Sequence, residues 1–177
     1  IKPCFRVIST LCSARVDPEF ILHAFKKGAD GVMVLGCHPG DCHYIGGNYR
    51  TRRRMALLSV MLQQFGLHKD RFRLEWVSAS EGEKYARVVN EFVERVTALG
   101  MSPYRKKLEA VKAGLERGVP ARRQGLGPEA VAAVSDLFLL TGKPVLYIAN
   151  VDEEQLSRPD DPAVAGARAL AAEEGSP

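Results

Sequence analysis

Gly31-Val32-Met33-Val34-Leu35-Gly36-Cys37-His38-Pro39-Gly40-Asp41-Cys42-His43-Tyr44 is the stretch on which the fold turns. Its first five residues contain no polar side chain, as expected of a strand buried on both faces. The rest is a loop with two cysteines, two histidines, one proline and two glycines. In parallel α/β sheets, ligands gather beyond the carboxyl ends of the strands. A buried strand running into such a loop therefore marks a candidate site.

Upstream, residues 5–11 are short, β-branched and apolar, and read as a strand. Asp17-Pro18-Glu19 then opens a helix, with Asp at the N-cap and Pro at the first helical position. Gly28 ends it. Downstream, a long helix is expected over residues 48–65, with Leu57, Leu58, Met61, Leu62 and Phe65 on its buried side. Residues 72–77 form a third strand. Ser80 and Glu83 read as a capping box for another helix. Its stripe is Tyr85, Val88, Val89, Phe92, Val93, Val96 and Leu99.

This β-α-β-α-β-α order predicts an α/β fold, a three-layer parallel sheet with helices on both faces, flavodoxin-like in architecture. Three strands are few for such a sheet. A further strand ahead of Ile1 is therefore expected, and both ends of the chain read as truncated or cut. Gly100-Met101-Ser102-Pro103 is a punctuating break, read as a hinge between a first domain at 1–103 and a second part at 104–177. The second part reads as a charged helix over 104–118, a helix over 128–140, an apolar strand over 145–149 and an alanine-rich helix opened by Asp161-Pro162.

The 177 residues are 46% hydrophobic and 26% charged, which places the chain among globular proteins. No run approaches the ~20 apolar residues of a membrane span, and no signal-peptide pattern opens the chain, so a cytoplasmic location and no membrane partner are expected. Residues 1–103 hold 15 basic against 10 acidic side chains, whereas residues 104–177 hold 10 against 11. The excess gathers at Arg50, Arg52, Arg53 and Arg54. Such a patch suits a phosphate-bearing cofactor, an acidic partner or a solvated helix start. Nucleic acid is not expected, because no base-stacking aromatics are interleaved with the arginines.

All four cysteines lie within the first 42 residues. In a cytosolic chain, cysteines are metal ligands or reactive thiols more often than disulfides. Cys12 and Cys37 each follow the end of a predicted strand, and the turn at Pro39-Gly40 returns Cys42 toward Cys37. Three thiols on one rim suit an iron–sulfur cluster. A structural zinc site completed by His38 or His43 is a second reading, and ordinary buried thiols are a third. Cys4 stands apart: at ~3.3 Å per residue, a strand from Cys4 to Cys12 separates them by roughly 26 Å. It reads as a small apolar residue on the opposite rim.

Cys12 to Pro18, Gly28-Ala29-Asp30-Gly31-Val32 and Gly36 to Tyr44 together resemble the delta subunit of methyl-viologen-reducing hydrogenase. Gly47-Asn48-Tyr49, Arg54 and the run Leu74 to Gly82 extend the likeness over residues 5–100. The resemblance implies a [2Fe–2S] cluster and electron transfer from a hydrogenase or formate dehydrogenase to heterodisulfide reductase. It also implies a further cysteine-rich segment ahead of the first strand. This sequence does not contain that segment, so Cys12, Cys37 and Cys42 stand one short of four thiolates. His38 or His43 is then the candidate fourth ligand, as imidazole serves in some two-iron centres.

Residues 140–153, ending in Asn150-Val151-Asp152-Glu153, resemble the base-reading segment of YchF-type (Obg-like) ATPases, a likeness extending over residues 104–175. The resemblance implies a partial P-loop-type α/β piece with a purine site at Asn150, Asp152 and Glu153. In it, Glu153 replaces a guanine-selecting aspartate, so that ATP fits. No G-x-x-x-x-G-K-[ST] occurs in the chain, so nothing cradles phosphates. Any ATP binding is expected to be on the order of millimolar or weaker.

Overall fold

A computed structural model describes residues 5–148, 150–152, 155, 158 and 161–175. The chain divides into two compact units, residues 1–110 and 111–177.

In the first unit, helix α1 (Pro18–Lys26) starts where its caps dictate, the Asp17 carboxylate accepting from Glu19 N with Pro18 at the first helical position. Strand β1 (Val32–Gly36) and strand β2 (Phe72–Trp76) form a parallel pair, in register from Val32 opposite Phe72 to Gly36 opposite Trp76. Between them runs helix α2 (Gly47–Gln64), and helix α3 (Gly82–Ala98) follows β2. Ile21 and Phe25 of α1, Val34 of β1, Met55, Leu58 and Leu62 of α2, and Leu67 make one buried cluster. Helix α4 (Pro103–Glu116) begins within this unit.

Several expectations are corrected. Among the described residues the fold is α/β with one two-stranded parallel sheet. Residues 5–11 form no strand, and Val7, Ile8 and Leu11 are exposed. Nor do residues 145–148, where Leu146 and Ile148 face solvent. The reason is the same in both places. An apolar run becomes a strand only where a neighbouring backbone pairs its N–H and C=O groups, and composition does not supply that neighbour.

The buried stripe of α2 is Asn48, Thr51, Met55, Leu58 and Leu62. Leu57, Met61 and Phe65 are exposed. The Ser80–Glu83 capping box does not form: α3 starts after Glu81 with no side-chain cap. Its stripe holds, with Val88, Val89 and Phe92 buried.

The break at Gly100–Pro103 is no loose hinge. Arg71, only 5% exposed, donates to the carbonyls of Asp30, Leu99, Gly100 and Met101 at 2.8–3.2 Å. Fully buried Ser102 donates its N–H to Asp30 Oδ1 at 2.7 Å, and Arg105 pairs with the same carboxylate.

In the second unit, Gln124 lies against Gly114, where a Cβ would collide with its amide, and donates to Val119 O. Helix α5 (Pro128–Val134) is shorter than expected and gives way to 3-10 turns. Helix α6 (Pro162–Glu174) is capped by Asp161. Arg122 clamps Glu174 at 2.7 Å and holds its carboxyl below the usual range.

Candidate metal centre

The site is built where β1 ends and α2 begins. Cys37 is the first residue past β1. The loop then turns at His38–Asp41, closed by Asp41 N donating to His38 O at 3.0 Å. Pro39 takes the second position and Gly40, at φ +101°, the third, as a type II turn requires. That turn carries Cys42 back to the start of α2, where Ile45 N closes on Cys42 O.

Cys12 arrives from the other side as the cap of a 3-10 turn, Ser13–Arg15. Helix α2 anchors that turn in two places. Ser13 Oγ lies 3.0 Å from Thr51 Oγ1, and Arg54 donates to the carbonyls of Ala14 and Val16. Arg54 is thus a strut for the Cys12 segment rather than part of a surface patch. Arg50, Arg52 and Arg53 are exposed.

The sulfurs of Cys12 and Cys42 lie 3.8 Å apart. Two sulfurs on one tetrahedral metal, each bonded at ~2.3 Å, also lie ~3.8 Å apart. Gly47 makes the approach possible: a Cβ there would sit 2.7 Å from Cys12 Sγ and 2.9 Å from Cys42 Sγ. Cys37 lies near enough to Cys42 to feel its charge.

The thiols differ electrostatically. Burial pushes Cys37 up, and the neighbouring Cys42 adds to the rise. Burial would also raise Cys42, but the backbone N–H groups of Tyr44, Asn48 and Gly47 and the Cys12 side chain outweigh it, and Cys42 is lowered. These amides belong to the turn and the first residues of α2, whose free N–H groups favour a thiolate.

The two histidines are occupied otherwise. His38 Nε2 lies 2.6 Å from Glu81 Oε2, and His43 is exposed with its ring edge-on to Tyr44. The Ser78 N–H, and then His38, hold the Glu81 carboxyl below its usual range. Among the described residues, no group of three or more His, Cys, Asp or Glu side chains is arranged to grip an ion at once. Cys4 and Glu153 lie outside the described residues. Asn150 and Asp152 are exposed, and Asp152 exchanges hydrogen bonds with Gln155.

Asn48 is a site residue that sequence spacing does not single out. It is 0% exposed, and its Nδ2 donates to His38 O and reaches Cys37 Sγ at 4.0 Å. Its Oδ1 is buried without a partner among the described residues. Leaving a buried acceptor unpaired costs about 1–3 kcal/mol. The available signal is a pair of polar residues, Asn48 and Thr51, at helical spacing ahead of Met55, Leu58 and Leu62.

Soft thiols at the carboxyl edge of a parallel strand pair define a thiol-bearing α/β module, with donors of the kind iron–sulfur clusters use. The family model for the methyl-viologen-reducing hydrogenase delta subunit matches residues 1–100, and the chain belongs to that family. It is 51% identical over 98 residues to the iron-sulfur subunit of the F420-non-reducing hydrogenase vhc of Methanococcus voltae, covering 55% of this chain and 68% of that one. The iron-sulfur subunit of the F420-non-reducing hydrogenase of Archaeoglobus profundus is equally similar over 98 residues, 72% of its length. A segment within one subunit of the ferredoxin/F420H2-dependent CoB-CoM heterodisulfide reductase of Methanosarcina acetivorans is 46% identical over 111 residues. That segment amounts to 63% of this chain but only 14% of the reductase subunit. Among the described residues, no helix is long and apolar enough to cross a membrane.

Proposed function

We propose that the first unit is a cytoplasmic electron-transfer module holding a [2Fe–2S] cluster through Cys12, Cys37 and Cys42. The observation that carries this reading is the Cys12–Cys42 sulfur pair at metal-bite spacing over Gly47. The donor set fits the group: thiols, one of them already biased toward thiolate, over a glycine that leaves room for sulfur. Such a cluster supplies one-electron chemistry. Cys37 supplies the third sulfur by closing on the Cys12–Cys42 pair. His38 becomes a ligand only by leaving Glu81, so its role in this reading is to brace the loop. What the chain's own residues do is hold the sulfurs, keep α2 amides on Cys42 and fix the Cys12 turn through Thr51 and Arg54.

The partners we propose are a hydrogenase or formate dehydrogenase as donor and heterodisulfide reductase as acceptor. Support for the acceptor comes from the relatives: the same module occurs as a separate polypeptide of a hydrogenase and as a segment within a heterodisulfide reductase polypeptide. Anaerobic reconstitution followed by iron, sulfide and zinc analysis tests the cluster. Iron and sulfide in equal amounts with visible absorbance are expected. A colourless protein holding zinc would overturn it.

A further inference from the structure

We propose that Asn48 tunes the reduction potential of the thiol site, making it easier to reduce than an apolar residue at that position would. The inference rests on the cluster reading above. The starting observation is that Asn48 breaks the rule of its own helix face. It heads the buried stripe that continues through Thr51, Met55, Leu58 and Leu62, and it is 0% exposed. An apolar residue of similar volume would fill that space and remove Oδ1, at the cost of the donor to His38 O. Asparagine instead leaves Oδ1 buried and without a partner among the described residues. Filling the helix face therefore does not by itself account for it.

What the amide does with its other end accounts for it. Nδ2 donates to His38 O and lies 4.0 Å from Cys37 Sγ, at the long end of an N–H···S contact. The orientation is fixed by chemistry, because turning the amide over would set Oδ1 against the His38 carbonyl, acceptor against acceptor. Asn48 thus presents a side-chain donor toward the Cys37 sulfur, a contact from the buried face of α2 to that ligand. Hydrogen bonds to sulfur are among the levers that set iron–sulfur potentials. A donor stabilises the extra negative charge of the reduced state more than that of the oxidised state. Asn48 is a positioning residue: it acts through Cys37 and the His38 carbonyl, not as a ligand.

The test uses the full chain, reconstituted with iron and sulfide, and its Asn48→Leu variant. The variant is expected to load the same iron, and the donor lost from His38 O offsets the gain from removing the stranded oxygen, so its urea resistance is measured alongside. At the potential where the parent is half reduced, its ratio of reduced to oxidised centre should fall at least threefold, measured by film voltammetry. Equal ratios would overturn the proposal. So would a variant that loses stability yet keeps the parental potential, which is what a purely structural role predicts.

A second measurement needs no variant. The parent is labelled with ¹⁵N in the asparagine side-chain amide and reduced, then examined by pulsed electron paramagnetic resonance. It should show a nitrogen coupling, and the other two asparagines, Asn90 and Asn150, are exposed. No coupling overturns the role of Asn48 while leaving the cluster in place. A chain that takes up no iron and sulfide overturns the cluster reading and this inference together.

Discussion

Gly47→Ala isolates the geometry on which the site depends. The new Cβ would stand 2.7 Å from Cys12 Sγ and 2.9 Å from Cys42 Sγ. Carbon packing distances are ~3.5–4.0 Å, so both sulfurs must retreat by roughly 1 Å. Forcing a methyl group into a packed site costs about 1–3 kcal/mol. Replacing glycine by alanine within a helix returns about 0.5–1 kcal/mol. The net loss of stability is therefore only ~0–2.5 kcal/mol, readable in a urea melt, and the fold survives. The effect on the site is far larger, because ligand distances tolerate only about 0.2 Å. The variant should retain its secondary structure and lose most of its iron and sulfide on reconstitution. Gly82→Ala at the start of α3 is the control, since nothing lies within 4 Å of the added methyl. If Gly47→Ala loads iron and sulfide like the parent, the Cys12–Cys42 pair over Gly47 is not where the cluster sits.

Three further predictions follow from packing and charge. Arg71→Leu should destabilise the first unit by about 3 kcal/mol or more, seen by urea denaturation, because it strands backbone carbonyls at Asp30, Leu99, Gly100 and Met101. Met55→Ala should cost about 2–5 kcal/mol, whereas Leu57→Ser should be nearly silent, and equal losses would mean the wrong stripe of α2 has been taken as buried. Glu81 has its carboxyl lowered by the Ser78 N–H and His38, so its contribution is fully present above the ordinary carboxylate value of 4.5 and is lost as pH falls through the lowered folded value. Glu81→Gln should therefore flatten the acid limb of a melting-temperature profile below pH 4.5 and leave the neutral region with a pH-independent offset; an unchanged acid limb would remove Glu81 from the linkage.

Much of the first unit was legible because its signals are local. Asp17 and Pro18 start α1 by satisfying and removing helix N–H groups within three residues, which needs no partner from elsewhere. Pro39 and Gly40 set their own turn, since only glycine takes φ +101° readily there. The α3 stripe is read correctly because its spacing admits one face. For α2 the letters permit two apolar stripes, and the choice of Met55, Leu58 and Leu62 over Leu57, Met61 and Phe65 is made by Ile21, Phe25 and Val34, which come from other elements. Likewise the apolar residues 5–11 and 145–148 have strand composition, but strands exist only as pairs, and pairing is a property of the folded chain.

The site divides the same way. The sequence brought Cys37 and Cys42 to one loop through a turn written into four residues. The approach of Cys12 to Cys42, 30 residues away, required Thr51 and Arg54 to seat the Cys12 turn and a glycine to yield the space. Glu81 pairs with His38 across 43 residues, a contact no sequence spacing displays. Asn48 appears in the sequence only as part of the Gly47-Asn48-Tyr49 likeness, and its place at the site comes from being fully buried beside Cys37. Residue types and turns are set by bonds between neighbours, whereas burial and approach distance belong to segments far apart in the chain, and only their packing decides them.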